Sequence, residues 1–135
     1  MKKILGIAFL LILQSCYFGA GLVEKELTDD YFLFANNSID EMSIWFHAEQ
    51  YSNRLIVPET VFAVGQKGKF IIAKSHPKNS EAGIDKSVTY YHIIEVDKKS
   101  TERSPNLTLE QFEFERKRLS VPKELDFSIV YDELK

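Results

Sequence analysis

The chain has 135 residues, a single cysteine and a formal net charge of −3, with twenty acidic against seventeen basic side chains. A single cysteine excludes an intramolecular disulfide framework, and an acidic balance without a basic stripe argues against nucleic-acid binding. The length suits one domain with a sizeable apolar core.

The N-terminus has the layout of a secretory signal peptide. Met1, Lys2 and Lys3 form a short positive segment, and Ile4 to Leu13 is a continuous apolar run relieved only by Gly6 and Ala8. As a helix that run is roughly 15 Å long, whereas crossing a ~30 Å hydrocarbon core takes about twenty residues. The run can engage a translocon but cannot anchor the chain. Leu13-Gln14-Ser15-Cys16 follows, and it resembles the lipobox of bacterial lipoproteins. In that family the thiol is alkylated with diacylglycerol, the peptide is cut before the cysteine, and the new amino group is often acylated. The resemblance makes 1–15 a signal peptide and Cys16 the lipidation site. Two or three acyl chains, at ~0.8 kcal/mol per buried CH₂, hold a protein on a membrane essentially permanently. Other readings of the same residues are an ordinary signal peptide cut near Ala20 and a buried core thiol. Tyr17 stands where an Asp would argue for inner-membrane retention, which points to an outer membrane or cell surface. Removing Lys2 and Lys3 leaves fifteen basic against twenty acidic residues, a mature charge of −5.

Residues 16–26, with Gly19-Ala20-Gly21 followed by charged side chains, read as the lipidated cysteine and a tether. The domain proper is expected over 27–135. Tyr31 to Ala35 is a short strand, apolar on both faces and so either covered on both sides or a mixed strand end, and Asn36-Asn37-Ser38 is a turn. Met42, Ile44 and Phe46 alternate with Ser43, Trp45 and His47, the period of a half-buried strand. Gln50 to Arg54 reads as a turn, and Arg54 to Val57 leads into Pro58, which lacks an N–H and belongs at a strand start, edge or bulge. Val61 to Val64 and Phe70 to Ala73 form a hairpin joined through Gly65-Gln66-Lys67-Gly68. The stretch from His76 to Gly83 is rich in loop formers. Val88 to Val96 is a further strand, with Tyr90, His92 and Ile94 on one face and Tyr91, Ile93 and Glu95 on the other. Asp97 to Pro105 is a charged loop. Thr108 and Gln111 make a capping box for a helix from Leu109 to Leu119, with Leu109, Phe112 and Leu119 near one face. Val121-Pro122 stops it, and Leu125 to Tyr131 is a final strand or an extended segment laid on the sheet. These elements give an α+β domain, an antiparallel sheet of about five strands with one C-terminal helix packed on it.

The hairpin "VFAVGQKGKFIIAKSHP", the strand "TYYHIIEVDKKS" and the closing "LTLEQFEFERKRLSVP" together resemble small bacterial lipoproteins grouped only as a domain of unknown function. The resemblance covers most of the mature chain. It implies no activity and no functional residues.

No cluster of side chains in the sequence carries a reaction. His47, His76 and His92 fall on different elements without ligand spacing, so neither a metal site nor a cofactor is expected. Ser75 and His76 are neighbours in sequence, but a catalytic pair is built in space. The acid pairs Asp29-Asp30 and Asp40-Glu41 sit in turns, where solvent keeps both members ionised. Gly65-x-x-Gly68 is too short for a phosphate loop. Lys67, Lys69, Lys74 and Lys78 make a local basic cluster that suits either an anionic polymer or a solvated edge. Aromatic residues are numerous, and any on an outer sheet face would make a recognition surface. The expectation is a non-catalytic envelope lipoprotein, anchored to a membrane through Cys16, that binds a protein partner, for example as an immunity protein or inhibitor. The alternatives are a small periplasmic enzyme or ligand carrier with a site assembled by the fold, and a structural subunit of an envelope complex.

Overall fold

The computed structural model describes residues 22–28, 30–49 and 52–135. Cys16, the apolar run before it and the cleavage site lie outside the described residues, as do Asp29 and Tyr51.

Four strands follow one another as an antiparallel meander: β1 (Val23–Glu26), β2 (Tyr31–Ala35), β3 (Ser43–His47) and β4 (Asn53–Val57). Alternation decides which side chains go in. Tyr31, Leu33 and Ala35 of β2 are buried, while Phe32 and Phe34 lie half-buried on the outer face. Of the two readings of this strand, full cover on both sides is not met: the outer face of β2 is only partly shielded. β1 also differs from expectation. Residues read as tether pair instead with β2, Val23 opposite Ala35 and Glu26 opposite Phe32. Three exposed charged residues in four give no apolar period to detect.

The second sheet has the order β10-β5-β6-β9. Its centre is the hairpin of β5 (Val61–Lys67) and β6 (Phe70–Ser75), flanked by β9 (Tyr90–Glu95) and the short β10 (Ile129–Val130). Val61 to Gly65 and Phe70 to Ala73 are buried at every position, which an unbroken apolar run requires only when both faces are covered. That requirement explains why the expected single sheet of about five strands is replaced by two sheets of four. One face of the hairpin shares a core with the first sheet, where Ile71, Ala73 and Ile94 join Leu33, Ile44 and Phe46. The other face, through Phe70 and Ile72, is covered by α1 (Leu109–Arg118) and the C-terminal tail.

Both glycines of the hairpin matter, for different reasons. The reversal uses only Gly68 and Lys69, because Lys67 pairs with Phe70, and Gly68 takes the positive φ of 56°. Gly65 lies inside the strand, where a Cβ would stand 2.0 Å from the Asp126 carbonyl oxygen. The tail crosses the sheet there, and only a missing side chain lets it pass. His76 to Gly83, expected as loop, contains a small hairpin of β7 (Lys78–Asn79) and β8 (Gly83–Ile84).

The capping box forms as expected: the Gln111 N–H donates to Thr108 Oγ1 at 3.2 Å and the Thr108 N–H to Gln111 Oε1 at 2.9 Å. Of the helical side chains expected on one face, Phe112 is buried and Leu119 is partly packed beside it. Leu109 is not, with 53% of its surface exposed. Phe112 settles between Tyr91 and Phe127, with ring centroids 5.1 and 6.2 Å away. At the other end the Val121 N–H reaches the Arg116 carbonyl and the Ser120 N–H the Lys117 carbonyl. This is a Schellman closure with Ser120 at a φ of 57° in the glycine position.

Candidate functional site

An open groove of about 620 Å³ lies between β9 and α1, and one proline accounts for it. After β9 the chain turns back along the sheet edge and pairs at one point, Tyr91 with Leu107, through N–H to O contacts of 2.9 and 3.0 Å. The next residue in that register, opposite Ile93, is Pro105. It has no N–H to give, so the ladder stops. The Ser104 N–H bonds the Ile56 carbonyl of β4 at 2.9 Å instead, which draws the strap toward the first sheet. The groove opens in the space so left, floored by Ile93, Pro105 and Leu107.

The helix forms the facing wall. Phe112 and Phe114 are two residues apart, about 200° around a helix, so they cannot both face the core. Phe112 faces in, and Phe114, 65% exposed, projects at the groove. Leu119 closes the apolar lining. The rim is mostly acidic: Glu95, Glu110 and Glu115 with Arg118. Arg118 is already committed, its Nε and Nη2 donating to the Glu115 carboxylate at 2.6 to 3.1 Å, and that contact holds the Glu115 carboxyl below its ordinary range. Glu95 meets Lys98 at 3.0 Å. Glu110 has no ion-pair partner among the described residues.

The histidines do not converge. His47 is exposed and bonds Asn53 Oδ1 through Nδ1 at 2.9 Å. His76 is buried, stacks on Phe62 at 4.2 Å between centroids and contacts the Val88 carbonyl through Nδ1 at 2.7 Å. His92 is fully buried, its Nε2 2.9 Å from Ser75 Oγ. Ser75 thus finds a histidine, but not its sequence neighbour. The register sets Ala73 opposite His92 and Ser75 opposite Tyr90, which makes Ser75 and His92 diagonal partners on one face. Such a contact has the form of a nucleophile and base. Here both groups are sealed from solvent, and His92 Nδ1 makes no well-formed hydrogen bond. Burial pushes the His92 pKa down to about 4, opposed only in part by the Pro105 backbone, so the ring is neutral at pH 7 and behaves as a core residue. Among the described residues no three metal-ligating side chains cluster.

The remaining sequence candidates also resolve into structural roles. Asp40 accepts from the Ser38 hydroxyl, the main cause of its lowered pKa, and Glu41 accepts from the Asn37 N–H at 2.9 Å; both lie within the 3₁₀ turn Ile39–Glu41. The basic cluster at the hairpin is divided among partners. Lys67 reaches Glu124 at 3.2 Å, Lys69 reaches Asp97 at 3.9 Å, and Lys78 lies between Asp40 and Glu59. Lys74 stands 4.5 Å over the Phe127 ring. On the outer face of the first sheet Phe32, Trp45 and Leu55 line up in register across three strands, all half-buried, with the indole N–H of Trp45 satisfied by Ser43 Oγ at 2.8 Å.

Among the described residues, two four-stranded antiparallel sheets, a small two-stranded hairpin, a strap and one covering α-helix define a small α+β domain. Residues 28–132 match the family described as a protein of unknown function, DUF3997, and the chain belongs to it. No curated protein and no solved structure matches the chain.

Proposed function

We propose that this chain is a bacterial envelope lipoprotein, held on a membrane through lipidated Cys16, whose domain binds a protein partner without catalysing a reaction. The groove between β9 and α1 carries the binding reading. It exposes a large aromatic side chain beside aliphatic ones, and its lining contains no histidine, serine or cysteine. Exposed Phe inside a polar rim is the composition of an interface anchor, and Phe114 joins neither hydrophobic cluster among the described residues. The lipobox-like Cys16 supports the anchor. Six residues, 17–22, separate it from β1, at most ~20 Å of extended chain, so the domain would work close to the bilayer. Among the described residues no helix is long and apolar enough to cross a membrane. A small-ligand carrier is the second reading, favoured by the groove volume, which falls in the range of small-molecule sites.

Two substitutions test the two halves. Cys16→Ser should move the protein from the membrane to the soluble fraction and remove the diacylglycerol mass from the mature N-terminus; retention on the membrane without lipid would refute the anchor. A photo-crosslinking phenylalanine analogue at Phe114, in the full chain on native membranes, should yield a protein adduct that the same analogue at exposed Leu109 does not. Equal yields at both positions would refute binding at the groove.

A further inference from the structure

From the charge around the groove we infer that its occupant is a cationic amphipathic segment, an apolar side chain or two flanked by Lys or Arg; the inference rests on the binding reading above. Three carboxylates and one guanidinium line the groove, and that guanidinium is already spent on Glu115. Of the three, Glu110 has no cation of its own among the described residues, and it sits one helical turn from Phe114, on the neighbouring stripe of α1. A ligand entering against Phe114, Ile93 and Leu107 therefore brings its apolar part to an apolar floor and a flanking cation to Glu110. A cation there gains attraction in a partly desolvated site, and an anion is repelled.

The same charges argue against a second copy of this chain. A two-fold contact through the groove would bring both copies of the unpaired Glu110 into one interface between two acidic chains, with no cation supplied to either. A neutral apolar segment would fill the floor and leave Glu110 facing it with no return. A strand added directly to β9 is disfavoured as well, since the strap through Ser104 and Pro105 runs along that edge. The segment instead lies between strap and helix, contacting side chains.

The test uses the full chain in a neutral detergent, isotopically labelled, and four short synthetic peptides: Lys-Leu-Lys-Leu-Lys, Glu-Leu-Glu-Leu-Glu, Lys-Ser-Lys-Ser-Lys and Ser-Leu-Ser-Leu-Ser. The first should shift the amides of Ile93, Leu107 and Phe114 saturably and bind at least about tenfold more tightly than each of the others. Added salt should weaken it. Glu110→Lys should cut its affinity about tenfold while costing the fold no more than the ~1 kcal/mol that a cation in the first helical turn accounts for, and Glu110→Gln should cut it by less. Equal affinity for the Ser-Leu peptide, or shifts confined to other surfaces, would overturn the cationic assignment. So would a dimer that Phe114→Ser dissolves, which would give the groove to a second copy. Crosslinking at Phe114 to a segment without Lys or Arg would overturn the charge preference alone and leave the binding function standing; absence of any groove-specific adduct would remove both.

Discussion

Acidification should weaken this fold through one side chain. His92 is neutral in the core, with its pKa pushed down to about 4 by burial, while in the unfolded chain it returns to an ordinary value near 6.5. Between those values the unfolded state binds more protons than the native state, so stability falls as pH falls. The contribution is complete above pH ~6.5 and is lost progressively down to pH ~4. At ~1.4 kcal/mol per pH unit, the shift amounts to about 3 kcal/mol in all, of which about 2 kcal/mol has gone by pH ~5. The lowered carboxyls of Asp40, Asp85, Glu115 and Glu124 act in a more acid window, at and below their ordinary range near pH ~4. The assay is urea unfolding at a series of pH values from 7.5 to 5, comparing the wild type with His92→Gln. With a slope near 1.5 to 2 kcal/mol per molar urea for a domain of this size, the wild-type midpoint should fall by about 1 M and that of the variant by clearly less. A parallel decline in both proteins would show that His92 is not the titrating group, and a flat wild-type profile would show that it is not held neutral by burial.

Other substitutions address the sheet, the helix and the tail. Gly65→Ala puts a methyl into the Asp126 carbonyl and should cost about 1–3 kcal/mol, with hydrogen exchange accelerated at Ile129 and Val130; unchanged protection there would mean that the tail does not depend on this crossing. Phe112→Ala should cost about 3–5 kcal/mol, whereas Phe114→Ala, two residues away, should stay within about 0.5 kcal/mol of wild type. Chemical denaturation distinguishes them, and comparable losses would refute the assignment of faces on α1. Thr108→Ala removes the N-cap and should destabilise by about 1 kcal/mol. Ser120→Gly should stabilise by about 0.5–1 kcal/mol, because glycine adopts the left-handed C-cap without the Cβ contact that Ser120 carries; a lower melting temperature would count against that closure.

The elements with the strongest local signals are legible in the amino-acid sequence. Thr108 and Gln111 are three residues apart and satisfy one another regardless of what lies beyond the helix. Alternation assigns His92 and Ile94 to one face of β9 and Tyr91 and Ile93 to the other, and the packing agrees. Even Phe114 leaves a trace, since two phenylalanines two residues apart on a helix oblige one to face away from the core. What the chain by itself determined is thus what nearest neighbours determine: strand and helix periods, the cap and the turn at Gly68.

The rest comes from groups distant in sequence. The division into two sheets follows from covering both faces of one apolar hairpin, and no window of residues states what the cover is. Gly65 reads locally as a turn residue, and only the tail, some sixty positions later, makes it a crossing point. Ser75 meets His92 instead of His76 because β6 and β9 align in one register, and a slip of one residue would turn His92 out of that core face. The groove is the clearest case. It needs Pro105 opposite Ile93 to end a ladder, Ser104 drawn to β4, and a helix returning alongside. Each of those is a long-range contact, and local sequence carries no record of it.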